Sequence, residues 1–268
     1  MIWILRSIVP AVWLFVTFSP AHGQSYGEEL NLGVAAYRDS HYEEAIQHFK
    51  KATELDSSKP IAHLYLATAY VNQYIPGVES DDNKLLAQQA IEQYQIVLNS
   101  EAVGDSRINS AKGIAYLYLN MKNWDDARKY YQMASDLSPN DAEPPYSMGV
   151  IDWTQCYQRR MEARARLEMR PDEHLSSKKP EQKKVCDELQ AKNWSIIEDG
   201  ISKFDKAIHL RPNYDDAMAY MNLMYRERAD LECDDLAARS RDLQTADDWV
   251  DKALAAKKVK AEKANGPK

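Results

Sequence analysis

Small and aromatic side chains recur in a constant order along this chain, within stretches whose apolar positions follow the period of an α-helix. In the segment 123–141, NWDDARKYYQMASDLSPND, Ala127 is followed four residues later by Tyr131 and three residues after that by Ala134. The same order occurs in segments 41–59 and 199–213. Unrelated amphipathic helices share a periodicity but not this spacing, so the pattern predicts a repeated helical unit.

Alignment of these stretches gives five copies, each preceded by another helical segment with a small side chain of its own. In the second helix, the small position holds Ala45, Ala90, Ala127, Gly200 and Ala246, and the position four residues later holds Phe49, Tyr94, Tyr131, Phe204 and Val250. In the first helix, the small position holds Gly33, Ala67, Ala115, Gly149 and Asn222. Antiparallel helices that cross closely need a small side chain at the crossing and a large one beside it. Each unit therefore predicts one helical hairpin.

The third unit, 108–141, resembles the tetratricopeptide repeat (TPR) family. Its signature positions hold Ala115, Tyr118, Ala127, Tyr131, Ala134 and Pro139, and the first unit matches nearly as well from Leu32 to Ala52. The resemblance implies an all-α fold, a right-handed α-α superhelix of about five helical hairpins whose first helices line a concave groove. The chain is also similar to secreted bacterial repeat proteins.

The repeats predict a single solenoid domain over residues 24–268, with insertions in its second, fourth and fifth units. The units lie near 26–59, 60–100, 108–141, 142–213 and 215–256. The second unit contains the loop QYIPGVESDDN, and the fourth contains strong helix formers with paired charges, RRMEARARLEMR and PEQKKVCDELQAKN. We therefore expect elongated, protruding helices in the fourth and fifth hairpins. The basic tail 257–268 is predicted to be a solvated capping helix, with contact to an anionic surface as the alternative.

Residues 1–23 are predicted to be a secretory signal peptide. Arg6 precedes the apolar run SIVPAVWLFVTF, and Ala21 and Gly23 are small residues suited to a cleavage site. The alternative is an uncleaved membrane anchor, but a spanning helix needs about 20 apolar residues, and Pro10 interrupts this run. The prediction is a periplasmic or secreted protein with no stable membrane span after cleavage, or a membrane-anchored protein if the leader is retained.

Composition and sequence motifs argue against several classes of function but do not identify a function. The chain has 268 residues and a net charge of -7, which disfavours a protein built to bind nucleic-acid phosphates. No HExxH, GxSxG, P-loop or GxGxxG motif occurs. Acidic pairs fall at the starts of predicted helices, where they favour the helix dipole. We therefore expect no catalytic site, no metal and no cofactor, and the sequence does not predict the oligomeric state.

The three cysteines allow at most one intramolecular disulfide. A helical rise of about 1.5 Å per residue places Cys186 roughly 37 Å and Cys233 roughly 30 Å from the turn at Pro212. Cys156 lies only roughly 21 Å along its own helix. The favoured pair is therefore Cys186–Cys233. Cys156–Cys233 is the alternative if the long helices bend, and three reduced, buried thiols are nearly as well supported.

The TPR resemblance implies that a partner binds on one face of the first helices. The residues on that face are Leu30, Val34, Tyr37, Leu64, Thr68, Val71, Asn72, Lys112, Tyr116, Leu119, Asn120, Tyr146, Val150, Trp153, Leu223 and Arg226. Leu30, Val34 and Tyr65 stand where the family's carboxylate clamp needs polar or basic groups. The mostly apolar face favours a hydrophobic partner segment. The alternative is that the YIPGVESDDN loop or the superhelical curvature covers this face.

The leading interpretation is a non-enzymatic protein–protein interaction scaffold or adaptor in the bacterial cell envelope. The groove would bury apolar side chains of a partner peptide or segment, while Asn72 and Asn120 satisfy its backbone groups. The alternative is a carbohydrate-binding or polysaccharide-export accessory protein, in which the tyrosines of the groove and Trp153 stack on sugar rings. An enzyme would rest only on scattered carboxylates.

Overall fold

The chain folds into consecutive helical hairpins. The computed structural model describes residues 25–101, 104–170, 173–176 and 178–264. Those ranges contain no strand and ten α-helices: α1 Tyr26–Arg38, α2 Tyr42–Leu55, α3 Pro60–Gln73, α4 Asp81–Asn99, α5 Asp105–Asn120, α6 Trp124–Leu137, α7 Glu143–Arg166, α8 Pro180–Leu210, α9 Asp215–Leu231 and α10 Leu236–Ala264. The predicted all-α hairpin fold is therefore confirmed. The predicted signal peptide lies outside the described residues.

The helices of the regular units begin and end at similar local signals. Ser25 and Ser80 cap α1 and α4, and each side chain accepts a hydrogen bond from a backbone N–H of the first turn, at 3.2 Å. The turns after α1 and α5 are equivalent, since Ser40 and Lys122 have φ values of 62° and 58°. Residues in this left-handed region let the following N–H reach back into the last helical turn. The repeat therefore extends to the backbone of its turns.

The helices form an inner and an outer layer. Each odd-numbered helix packs against the even-numbered helix that follows it, and each even-numbered helix then packs against the next hairpin. Among the odd-numbered helices, α1 contacts α3, α3 contacts α5, and α7 contacts α9. The described parts of α5 and α7 make at most slight contact. The inner layer is therefore divided between the third and fourth hairpins.

The apolar core is divided at the same place. One cluster combines α1 to α4 with two residues of α5, and another combines α7 to α10. A smaller cluster of Ala115, Ala127, Tyr131, Met148 and Ile151 joins them. We refer below to the first three hairpins (α1–α6) and the last two hairpins (α7–α10).

The small and aromatic residues of a unit pack against each other, as their spacing predicts. The ring of Phe49 lies over Gly33, where an added Cβ would be 2.5 Å from the ring. Phe204 lies over Gly149 in the same way, at 2.8 Å. Real Cβ atoms do not approach this closely, so a larger residue at either crossing would force the phenylalanine ring to move.

The fourth hairpin is elongated, as expected, but it does not protrude alone. Helices α7 and α8 contain 24 and 31 residues, against 13 and 14 in α1 and α2. Both helices pack against α9, and the distal part of α8 reaches the turn between α9 and α10. A disulfide joins Cys186 to Cys233, with Cα atoms 6.5 Å apart, and Cys156 is a buried free thiol. The predicted elongation of the fourth and fifth hairpins is therefore confirmed, and the two lengthened hairpins bury each other's apolar sides.

Candidate functional site on the inner helices

All sixteen residues predicted for the groove lie on the inner helices α1, α3, α5, α7 and α9. We call this set the inner surface. Its members differ in how accessible they are: Asn72, Tyr116 and Arg226 are exposed, Leu64 is buried, and the other twelve are partly buried. The structure thus places the predicted residues on one layer but does not leave all of them available to a partner.

In the first two hairpins, the polar groups of the inner surface are fixed by hydrogen bonds. The amide nitrogen of Asn72 donates to the Tyr37 hydroxyl at 2.7 Å and to the Thr68 carbonyl at 2.9 Å. The Thr68 hydroxyl donates to the Leu64 carbonyl at 2.8 Å. Both amide hydrogens of Asn72 are therefore used inside the protein, whereas its oxygen accepts no hydrogen bond from the described chain.

The third hairpin repeats this arrangement. The amide nitrogen of Asn120 donates to the Tyr116 carbonyl at 2.8 Å, as Asn72 does to the equivalent carbonyl on α3. Tyr116 lies one helical turn before Asn120 on α5, and 38% of its surface is exposed. Lys112 is paired with Asp141 at 3.1 Å and with Glu143. Its ammonium joins α5 to the start of α7, so it is not a free positive charge for a partner.

The inserted loop between α3 and α4 is rigid and lies at the edge of the inner surface. The Asn83 side chain accepts from Ile75 N at 2.8 Å and donates to Ile75 O and Val78 O at 2.8 and 2.7 Å. Gly77 allows the tight turn because its φ is +81°. These bonds hold the loop in one conformation, and sequence reasoning did not identify Asn83. An asparagine just after an N-cap serine is the only sequence signal.

This loop forms a cavity rather than a cover. The cavity has a volume of about 290 Å³ and lies between the loop and the α5–α6 turn. Tyr74, Val78 and Met121 give it an apolar lining, and Asn120 borders it. Since Tyr116 and Asn72 stay exposed, the loop does not fill the middle of the inner surface. Apolar side chains at Val78 and Met121 remain accessible.

In the last two hairpins, the aromatic residues of the inner surface pack against one another. The Tyr146 ring lies 4.8 Å from Tyr214 and 5.8 Å from Tyr220, between ring centroids. Trp153 stacks on Tyr157 at 5.1 Å and meets Tyr220 edge-on at 5.3 Å. The Trp153 indole N–H is buried and has no acceptor in the described chain. Trp153 and Tyr146 are therefore packing residues, and only Tyr157 presents an accessible ring.

Burial suppresses ionisation in this aromatic cluster and at the free cysteine. It raises the pKa of Tyr131 and Tyr214 to about 12, and that of Tyr146 further in the same direction. It also raises the pKa of the Cys156 thiol to about 12. These groups stay neutral at physiological pH, so none of them is an activated acid, base or nucleophile.

The remaining predicted residues complete the inner surface without adding a charge for a partner. The Arg226 guanidinium donates to Asn222 at 2.9 Å and to Asp247 at 2.7 Å. Five of the remaining side chains pack against the apolar core: Leu30, Val34, Val71, Leu119 and Val150. Leu223 is partly buried.

Buried ion pairs tie the last two hairpins together, and sequence reasoning missed them. Arg160 of α7 donates two hydrogen bonds to Glu227 of α9, both at 2.8 Å, and lies 3.3 Å from Asp230. Arg164, which is buried, lies 3.2 Å from Asp230. The pairs lie side by side along the elongated helices, outside the repeat positions.

A second buried carboxylate joins the third hairpin to the fourth. Asp152 of α7 accepts from Arg128 of α6 at 3.2 Å and from Lys203 of α8 at 2.9 Å. Arg128 and Lys203 both lie on outer helices. The third and fourth hairpins are therefore joined through Asp152 and the outer layer, although the inner helices α5 and α7 barely touch. No group of three or more His, Cys, Asp or Glu side chains in the described ranges is arranged to hold a metal ion. Across the same ranges, no helix combines the length and the apolarity needed to cross a bilayer.

Comparison with known proteins agrees with the repeat pattern. Residues 33–73 match the family model described as TPR repeat. The fold is similar to that of a MamA protein, with a TM-score of 0.60 and 15% identity over 92% of this chain and 99% of that chain. It is also similar to MamA from Desulfovibrio magneticus RS-1, from residue 41 onward, with a TM-score of 0.56 and 16% identity over 89% and 98% of the two chains.

A third similar structure is that of YrrB, described as a TPR protein with an unusual peptide-binding site. Its TM-score is 0.53, with 17% identity over 88% of this chain and 94% of that chain. At these identities the likeness shows the fold alone. No curated protein matches the sequence. The family-model match identifies a TPR repeat at residues 33–73, and these structures confirm the predicted solenoid fold.

Proposed function

We propose that this tetratricopeptide-repeat protein is a non-enzymatic scaffold that holds an extended segment of a partner protein on the inner surface of its first three hairpins. The observation that carries the proposal is Tyr116, an exposed ring on α5 one helical turn before Asn120. The amide oxygens of Asn120 and of Asn72, its equivalent on α3, accept no hydrogen bond within the described chain. An accessible aromatic ring flanked by hydrogen-bonding groups is typical of a residue that contributes strongly to binding. The peptide-binding site of YrrB, which shares this fold, supports the same reading.

The two asparagines suit a partner with an extended backbone. Neighbouring inner helices pack about 8–10 Å apart, and Asn72 and Asn120 occupy equivalent positions on α3 and α5. A segment in the polyproline II conformation advances about 3.1 Å per residue with three residues per turn, so its N–H groups three residues apart point the same way. Their spacing of about 9 Å matches the separation of the two amide oxygens, so one segment can donate to both while its side chains contact Tyr116.

The cavity beside the inserted loop supplies a pocket for one apolar side chain of that segment. It borders Asn120, so a segment that donates to this residue reaches it directly. Its volume of about 290 Å³ exceeds that of any aliphatic side chain, and Tyr74, Val78 and Met121 provide an apolar lining. The loop is already ordered by Asn83, so binding loses little conformational entropy there.

We place the scaffold in the bacterial cell envelope, as a periplasmic or secreted protein. The predicted leader supports this location, as does the Cys186–Cys233 disulfide, because such bonds persist in oxidising compartments. If the leader is not cleaved, the same domain would be anchored to the membrane. The proposal involves no nucleic acid and no cofactor.

The carbohydrate alternative is less well supported by the geometry. Sugar binding would use flat aromatic faces, and Tyr146 and Trp153 already stack with other rings. Tyr37 is turned edge-on to Tyr42, with ring centroids 5.4 Å apart. Tyr65, Tyr116 and Tyr157 are the most exposed rings on the described inner helices, and Tyr65 and Tyr157 already stack on Phe49 and Trp153.

Photo-crosslinking in the native host tests the proposal. A photoreactive amino acid replaces Tyr116 in one variant and Ile96, an exposed residue of the outer helix α4, in the control. We expect a discrete protein adduct from position 116 and none from position 96. An adduct from position 96 alone, or a polysaccharide adduct from 116, contradicts the proposal. A third variant carries the photoreactive residue at Tyr157, and a protein adduct from position 157 with none from position 116 also contradicts the proposal.

A further inference from the structure

At both ends of the solenoid, repeat positions are exposed whose equivalents at the internal junctions are buried. In the first helix of a unit, the position just before the small residue holds Leu32, Leu66, Ile114, Met148 and Met221. The last four are at most 5% exposed, whereas Leu32 is 42% exposed. Ala35 is likewise exposed, although the equivalent residues of the other four units are fully buried. The first hairpin therefore ends in an uncovered apolar strip.

The other end of the solenoid also has an apolar repeat position that is not covered. Val250 occupies the aromatic position of the last unit and is partly exposed, whereas its four equivalents are at most 4% exposed. Leu254, one turn further along α10, is 61% exposed. Val250, Ala253 and Leu254 line a cavity of about 310 Å³ with Ala219 and Asn222 of α9. The last hairpin thus has a cavity where the others are covered.

At the internal junctions, the covering element is always the first helix of the next hairpin. Phe49 of the first unit stacks on Tyr65 of α3 with ring centroids 5.5 Å apart, and Phe204 of the fourth unit stacks on Tyr220 of α9 at 5.7 Å. The residue that fills this position on α1 is Asn31, next to Leu32. The element that fits against α10 is therefore a helix of the same kind as α1.

The two ends also carry opposite charges. The first hairpin, residues 26–55, contains six acidic and three basic residues, a net charge of -3. The end of α10, residues 252–264, contains five lysines and one glutamate, a net charge of +4. Only Lys260 of these lysines has an acidic partner in the described chain, Asp215 at 3.2 Å. A basic end and an acidic end of one molecule attract each other between molecules.

We propose that the protein binds a second copy of itself head to tail, with Leu32 and Ala35 of one copy against Val250, Ala253 and Leu254 of the next. The contact continues the internal junction, so the first helix of the second copy takes the position of a sixth inner helix. Because the two faces differ, the contact is heterologous and leaves one free end at each terminus of the assembly. This inference uses the ends of the solenoid and does not depend on the inner surface.

Sedimentation velocity of the full chain tests the proposal through two matched substitutions. Leu32→Glu blocks the head and Leu254→Glu blocks the tail, and both side chains are exposed, so folding is checked by unchanged helical circular dichroism. We expect the unaltered protein to form larger species as its concentration rises and salt to weaken them. Each variant alone is expected to remain monomeric.

Mixing the two variants gives the decisive result. The Leu32→Glu variant keeps an unaltered tail, and the Leu254→Glu variant keeps an unaltered head. An equimolar mixture is therefore expected to form a dimer and no larger species. Ile96→Glu, an exposed apolar position on α4, should assemble like the unaltered protein. The proposal is overturned if the unaltered protein or the mixture stays monomeric. It is also overturned if each single variant assembles like the unaltered protein, since the contact would then use residues 1–24 or another face.

Discussion

The first three hairpins and the last two use the same repeat positions but differ in what surrounds them. Both halves pack an aromatic ring over a glycine at a helix crossing, as Phe49 does on Gly33 and Phe204 on Gly149. In the first three hairpins the helices are short and the inner layer keeps Tyr116 exposed. In the last two, long helices bring rings, ion pairs and a disulfide together. The repeat positions therefore determine how hairpins stack, whereas the residues between them determine whether the inner surface stays open.

The largest effect is expected from breaking the buried ion pair that belongs only to the last two hairpins. Glu227→Ala leaves Arg160 buried without its bidentate partner, which costs about 3–5 kcal/mol of unfolding free energy. Urea denaturation measures this loss. The matched control is Glu198→Ala, since Glu198 pairs with Arg228 at a half-exposed site and should cost less than about 1 kcal/mol. Equal losses for the two variants would show that the pair is not buried as described.

Removal of the disulfide is expected to destabilise the same region somewhat less. The double variant Cys186→Ser with Cys233→Ser releases a cross-link spanning 47 residues and should cost about 2–4 kcal/mol. Hydrogen exchange measured by mass spectrometry locates the loss. Faster exchange is expected in the distal parts of α7 and α8 and around the α9–α10 turn, with α1–α6 unchanged. Equally faster exchange in α1–α6 would contradict the division into two regions.

Filling the glycine positions tests what the two regions share. Gly33→Ala and Gly149→Ala each place a Cβ against a phenylalanine ring, so each should cost about 1–3 kcal/mol through overpacking. Thermal or urea unfolding compares them with Gly27→Ala, whose added Cβ meets nothing within 4 Å. That control should be neutral or stabilising by up to about 1 kcal/mol, because alanine favours the helix and its Cβ meets no neighbour. A large cost at only one of the two positions would mean that the halves do not share one packing rule.

The smallest effect concerns pH and is confined to the last two hairpins. Burial, followed by the nearby positive charge of Arg239, lowers the pKa of His174 below its ordinary value of 6.5. The unfolded chain therefore takes up this proton first, so the contribution of neutral His174 is complete above about pH 6.5 and is lost as the pH falls. Urea unfolding between pH 7 and 5 should show a steeper loss for the unaltered protein than for His174→Gln. Identical slopes would exclude this role of His174.

The fold was predictable because the repeat pattern is local and recurs. Small and aromatic positions at fixed spacing identify each crossing, and extra helix-forming residues between Gly149 and Gly200 predict the elongated hairpin. Helix rise alone favoured Cys186–Cys233 among the alternatives, and this is the pair that the structure joins. These properties depend on distance along a helix, which a sequence gives directly.

The contacts between distant side chains were not predictable in the same way. Arg160 and Glu227 are 67 residues apart, and nothing in their local sequences pairs them. Trp153 was expected to face a partner because its position in the repeat faces the groove, yet rings from α9 cover it. Its accessibility depends on the neighbouring hairpin, whose curvature the repeat spacing does not specify. The accessible part of the inner surface was therefore predicted as one stripe and is found mainly in the first three hairpins.

The central claim is that the first three hairpins bind a partner while the last two provide a rigid support. Hydrogen exchange of the protein, alone and with the partner segment captured from position 116, tests this claim most directly. Slower exchange is predicted in α3, α5 and the 74–80 loop, with α7–α10 and the outer helix α4 unchanged. Slower exchange confined to α7–α10, or to the outer helices, would contradict the account.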